Sequence, residues 1–115
     1  MTRICVTGGR DYTDRKKVYA TLDSIPDISL VIHGGATGAD QLASDWAKSR
    51  GHMEEVYGVT KDEWARIGPS AGPIRNGRML REGRPNLLVA FPGGRGTADC
   101  TKQAKGLKIK VVVVE

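Results

Sequence analysis

The chain has 115 residues, enough for one domain with one core and too few for two. Eighteen Lys and Arg against thirteen acids leave a net charge of +5, which admits an anionic partner, but the six Phe, Tyr and Trp side chains are too few for a base-stacking surface. Nucleic acid therefore ranks behind a small phosphorylated ligand, and no apolar run approaches the roughly 20 residues of a membrane span.

Arg3 to Thr7 reads as a first buried strand that passes straight into a turn, Gly8-Gly9-Arg10-Asp11. The Met1-Thr2-Arg3 start leaves no room for a signal peptide ahead of that strand, so a cytoplasmic protein is expected. Asp14 is placed to cap a helix from Arg15 to about Ile25, with Val18, Leu22 and Ile25 on one stripe. A second strand, Leu30 to Ile32, ends at His33 and runs into Gly34-Gly35-Ala36-Thr37-Gly38-Ala39-Asp40. The helix that follows carries Ala39, Leu42, Ala43, Trp46 and Ala47 on one face and stops at Gly51.

Glu54 to Val59 gives a weaker third strand, and Asp62-Glu63-Trp64 a helical turn before a loop marked by Gly68, Pro69, Ser70 and Gly72. Pro73 suits the first position of a helix from Ile74 to about Glu82, stopped by Gly83 and Pro85. The fourth strand, Leu87 to Phe91, runs into Pro92-Gly93-Gly94-Arg95-Gly96-Thr97-Ala98-Asp99, with Thr97 placed to cap a helix to about Lys105. Ile109 to Val114 is continuously apolar and is expected to be a strand covered on both faces.

Strands alternating with helices imply right-handed crossovers, hence a single α/β, Rossmann-like domain with a mostly parallel five-stranded sheet and helices on both faces. In such a sheet every glycine turn lies at a strand's carboxyl end. With strand one central, between strands two and four, the turns at Gly8, Gly34 and Gly93 meet at the switch point where open α/β sheets bind ligands.

Those turns suggest phosphate chemistry: glycines let the backbone turn and expose its N–H groups, and a helix N-terminus adds a partial positive charge. Gly8, Gly9, Gly34, Gly35, Gly38, Gly93, Gly94 and Gly96, with Pro92, are the candidate cradle. Thr37 and Thr97 offer hydroxyls or caps. Arg10, Arg75 and Arg95 are candidate phosphate clamps, Arg75 and Arg78 lying at i and i+3 on one helix. Asp11 and Asp40 are read either as ribose ligands or bases, or as a turn cap and a complement to a helix N-terminus. Trp64 either stacks on a base or anchors its loop. His33 reads as a hydrogen-bonded support. Cys5 and Cys100 follow no metal or disulfide spacing, and neither a metal nor a cofactor is expected.

Thr7-Gly8-Gly9-Arg10-Asp11, then His33 to Asp40, then Trp64 with Gly68, Ala71-Gly72 and Arg75-Asn76, then Pro92 to Thr97 together resemble the YspA-type, YpsA-related branch of the SLOG superfamily, over nearly the whole chain. That superfamily also holds the LOG nucleotide phosphoribohydrolases and the DNA-processing protein DprA. The resemblance implies a single nucleotide-binding domain spanning residues 1–115, adds Asn76 to the ligand-binding set, and implies a homodimer. Met79 and Leu80 are candidates either for that contact or for the core. In the LOG enzymes a glutamate that helps cleave the base stands eight residues after the loop's proline. Here Cys100 takes that position and Asp99 is the nearest acid, about 100° away around a helix. Binding of a nucleotide-derived signal is therefore the leading expectation. Hydrolysis of an N-glycosidic bond, served by Asp11, Asp40 or Asp99, is the alternative, and DNA binding in the manner of DprA comes third.

Overall fold

A computed structural model describes all residues 1–115. The first half runs β1 (Thr2–Thr7), α1 (Arg15–Asp23), β2 (Ile28–His33), α2 (Ala39–Arg50) and β3 (Met53–Val56). The second half runs α3 (Lys61–Ile67), a single 3-10 turn, α4 (Ala71–Gly83), β4 (Leu87–Ala90), α5 (Arg95–Gly106) and β5 (Lys110–Val113). The five strands form one sheet in the order β3-β2-β1-β4-β5, every pair parallel. Strand β1 is central and the chain's winding reverses beside it, as the glycine turns require.

The alternation of β1 divides two cores. Ile4 and Val6 face Val18 and Leu22 of α1 and Leu42 and Trp46 of α2, while Cys5 faces Met79 and Leu80 of α4 and Cys100 and Ala104 of α5. Met79 and Leu80 are each 2% exposed, so they belong to the core and are not available to a second copy.

Local chemistry explains most helix ends. The Asp14 carboxylate accepts from the Lys17 amide, Gly51 closes α2 at φ 71°, and Thr60 with Glu63 forms a reciprocal capping box on α3. Helix α1 stops at Asp23, and Ile25 packs on the core from beyond its end. Helix α4 begins two residues before Pro73, which therefore occupies the third helical position, where a missing N–H is still harmless. It ends on Arg84 in the left-handed region at φ 50°. Gly83 serves packing instead, since a Cβ there would lie 3.2 Å from the Ile32 side chain.

Three further expectations are corrected. Thr97 lies inside α5 and Gly94 stands at its N-cap, so Thr97 does not cap it. Strand β3 ends at Val56, and Tyr57 makes one last bond to the His33 carbonyl. Strand β5 is an edge, with Val113 64% exposed; its apolar run reflects a parallel strand's composition without the cover that a central strand receives.

Candidate functional site

The turns after β1, β2 and β4 meet at one end of the sheet. The Gly9 amide donates to the Pro92 carbonyl at 2.9 Å, and the Ala39 amide donates to the Gly9 carbonyl at 3.1 Å, so the β1 turn is bolted to both neighbours. Glycine is required where the bolts pass. A Cβ on Gly38, whose φ is +74°, would lie 2.1 Å from the Gly9 oxygen, and one on Gly93 would lie 2.2 Å from Thr97 Oγ1.

Two joined hollows open above this junction. The deeper one, about 240 Å³, is walled by Thr7 to Arg10 on one side, by Asp40, Arg75 and Asn76 on another, and by Gly94 to Thr97 on the third. The outer one, about 300 Å³, lies between the β2 turn and Trp64, with Gly58 and Val59 at its edge. Arg10, Ala36 and Arg75 border both. Trp64 is 50% exposed and stands on α3, a helix that buries none of its residues.

Three amides of the β2 turn are spent on side chains of the chain itself, while those of Thr37 and Gly38 have no acceptor within it. Gly34 and Ala36 both donate to Asp40 Oδ2 at 3.2 Å, and Gly35 donates to His33 Nδ1 at 3.0 Å. Because Nδ1 accepts, Nε2 carries the proton toward Glu54 Oε1 at 2.9 Å, which makes His33 the hydrogen-bonded support its position suggested. Asp40 is 6% exposed, and burial pushes its carboxyl above the ordinary aspartate value, against the pull of the Ala36 amide, His33, Arg75 and the Gly34 amide. Its other oxygen, Oδ1, has no partner in the chain. No enclosed side-chain polar atom of the protein lacks a partner, so Oδ1 opens onto the deep hollow that Asp40 borders.

The β4 turn spends no amide on a side chain. Helix α5 has no side-chain cap, and its first internal bond from this end is Ala98 N–H to the Gly94 carbonyl at 3.0 Å. The amides of Arg95, Gly96 and Thr97 therefore have no acceptor within the chain. A Cβ on Gly94 or Gly96 would meet no atom of the protein, although both glycines border the deep hollow.

A hydrogen-bonded strut joins the two turns. Arg75 Nη1 donates to the Gly34 and Tyr57 carbonyls, and its Nε donates to Asn76 Oδ1 at 3.0 Å. That contact orients the Asn76 amide, whose Nδ2 donates to the Gly96 carbonyl at 3.2 Å and to Asp99 Oδ2 at 3.0 Å. Gln103 donates to the same Asp99 oxygen at 2.8 Å. Arg75 thus spends two of its three nitrogens on carbonyls and Asn76, and only Nη2 remains for a ligand.

The candidate residues accordingly separate. Gly8, Gly9, Arg10, Asp40, Arg75, Asn76, Gly94, Arg95, Gly96 and Thr97 border the deep hollow, and Gly34, Gly35, Thr37 and Trp64 the outer one. Pro92 and Gly93 shape the β4 turn from behind, and Gly38 shapes the β2 turn. Asp11 is exposed and borders neither hollow, and Asp99 is held in the strut outside them. Cys100 is fully buried against the second core, where its hydrogen bond with Cys5, together with burial, pushes the Cys5 thiol up. Helix α5 therefore presents no acid to the hollow. Gln103 and Val59 did not stand out in the sequence; for Gln103 the signal was its spacing of four residues from Asp99 on one helix.

The model of the YspA, cpYpsA-related SLOG family matches residues 2–60. The chain belongs to that family. Its SLOG fold extends well beyond the matched half. The gene 61 protein of Mycobacterium phage D29 is 38% identical over 122 residues, covering 97% of this chain and 95% of the relative. The crystal structure of DNA processing protein A (DprA) from Streptococcus pneumoniae is similar over 100% of this chain with a TM-score of 0.80 at 16% identity, a likeness of fold. The SLOG chain spans 50% of that protein. None of its helices is long and apolar enough to cross a membrane.

Proposed function

We propose that this SLOG domain binds a phosphorylated, nucleotide-derived ligand, with the phosphate seated on the first turn of α5 and the base toward Trp64. The observation that carries the reading is the set of three unspent amides at Arg95, Gly96 and Thr97, beside glycines whose missing side chains leave room for nothing in the protein itself. Such amides, at the positive end of a 12-residue helix, suit a phosphate, and Arg10 and Arg95 supply charge at the rim. The deep hollow falls below the roughly 300–1,000 Å³ of pockets for drug-sized ligands, so a nucleotide must also occupy the outer one. Trp64 is the one exposed aromatic ring, which fits one stacked base better than a bound strand.

A panel of AMP, ADP-ribose, NAD and cyclic nucleotides, read by thermal shift and by chromatography for free base, tests this. Stabilisation without base release is the expected result. The second reading, N-glycosidic hydrolysis, is favoured by one feature, the free oxygen of Asp40; base release that Asp40→Asn abolishes would establish it. A salt-sensitive gel shift would instead support binding of DNA, the third reading, for which the net charge of +5 is the feature in favour. A homodimer remains part of the proposal. With Met79 and Leu80 buried, the exposed Val56, Ile67 and Ile74 are its candidate contacts, and the mass in solution decides it.

A further inference from the structure

We infer that His33 is a proton-operated latch on the β2 turn: the neutral ring holds the Gly35 amide, and a second proton on the ring releases it. The ring is 3% exposed, and each of its nitrogens has one partner. Nδ1 accepts from the Gly35 amide at 3.0 Å, and Nε2 faces Glu54 Oε1 at 2.9 Å. An imidazolium carries a hydrogen on both nitrogens, so it has no lone pair left for an amide. The Gly35 bond and the charged ring therefore exclude each other, whatever fills the hollows.

The surroundings favour release over a ring that stays neutral in acid. Two carboxylates face His33, Glu54 of β3 at Nε2 and Asp40 of α2, which bonds the amides on either side of Gly35. When ionised, both favour the charged ring. Against its burial, hydrogen bonds from Ser44 and His33 hold the Glu54 carboxyl below its usual value, so Glu54 still carries its charge when the ring takes a second proton. The opposing cations are Lys48 of α2, which acts on Glu54, and Arg75 of α4, whose Nη1 is spent on the Gly34 and Tyr57 carbonyls.

The amide, for its part, has somewhere to go. Gly35 is exposed at φ +71° on the wall of the outer hollow, so its freed N–H turns to water and no buried donor is orphaned. Glycines on both sides of the freed peptide permit the rotation. Gly34 and Ala36 stay bonded to Asp40 Oδ2, which confines the motion to the middle of the turn. Protonation thus gives the outer hollow a free amide on its wall and a positive charge two residues behind it, neither of which the neutral ring provides.

NMR of the whole chain tests the latch from about pH 8 to about pH 5, the range in which histidine titrates. It follows the His33 ring nitrogens together with the exchange protection of the Gly34, Gly35 and Ala36 amides, each scaled to its unfolded rate. As the ring gains its second proton, Gly35 should lose at least about tenfold in protection while Gly34 and Ala36 keep theirs. In Glu54→Gln, which lacks the carboxylate charge, the His33 titration and the Gly35 release should move together to lower pH. A Gly35 amide that stays protected while His33 titrates would overturn the latch, and so would a ring that stays neutral until the chain unfolds in acid. Release that keeps its pH in Glu54→Gln while the His33 titration moves would assign it to another group and overturn the latch as well.

Discussion

The turns after β2 and β4 have nearly the same composition, three glycines and a threonine ahead of an aspartate, yet only the first spends amides on its own side chains. After β2, the amides of Gly34, Gly35 and Ala36 all donate to side chains of the chain itself, Asp40 and His33. After β4, the amides of Arg95, Gly96 and Thr97 donate to nothing. A glycine turn is thus not a phosphate cradle by composition. It becomes one only when no nearby side chain satisfies its N–H groups first. On this comparison the β2 turn is a rigid wall that holds an acceptor, Asp40, and the β4 turn is the anion seat.

The largest effect that separates the two belongs to Gly38→Ala. Its φ of +74° and the Gly9 oxygen 2.1 Å from a built Cβ combine backbone strain with a clash against main chain. Unfolding in urea should show a loss of roughly 2–6 kcal/mol. A loss under 1 kcal/mol would mean that the β2 turn is not the rigid wall described.

Next comes Arg75→Met, which cuts the strut between the turns and leaves Asn76 Oδ1 and the Gly34 carbonyl without their donor. About 1–3 kcal/mol should be lost. Proton exchange at the Gly34 to Ala36 amides should quicken more than at the end of α5, since only the former are already bonded.

Asp40→Asn works in the other direction. Burial raises the Asp40 carboxyl above its unfolded value of about 3.9, so the folded state holds its proton more tightly than the unfolded one. Stability then falls as pH rises from the unfolded value through the folded one, and the deficit persists at neutral pH. The variant lacks that deficit. Its stability relative to the parent should therefore increase from pH 4 toward neutrality, as read by thermal midpoints across that range. A difference that does not change with pH would contradict the burial of an ionised Asp40. The same residue would then combine a stability cost with a role in binding, as functional sites commonly do.

Much of this arrangement is legible in the chain itself. Apolar runs through Ile4, Val31 and Leu88, each leading into a glycine turn, mark three strands of a parallel sheet; their turns meet on the condition that β1 lies between β2 and β4, and the sheet order fulfils it. The end of α2 at Gly51 and the start of α1 at Asp14 follow from residue chemistry. Three features do not. Thr97 has the composition of a cap, but the helix begins at Arg95, and Gly94, three residues before Thr97, takes that place. The apolar run to Val114 looks like a covered strand, although its place at the sheet edge depends on crossovers rather than on composition. Asp99 is one of three acids that the sequence offers for hydrolysis, but Asn76, 23 residues earlier on α4, captures it. Whether an amide is spent or free depends on which side chain folds back onto it, and composition alone does not record that: His33 and Asp40 lie within six residues of the amides they take.

The most direct test is the double substitution Gly94→Ala with Gly96→Ala, titrated with AMP and inorganic phosphate alongside the parent chain. Neither Cβ meets an atom of the protein, so the unfolding midpoint should hold steady or rise, by up to about 1 kcal/mol for the helical position. Binding should weaken by at least about tenfold, because methyl groups would then stand where the phosphate approaches the amides. Undiminished affinity in a stably folded double variant would place the anion elsewhere and contradict the assignment of the β4 turn.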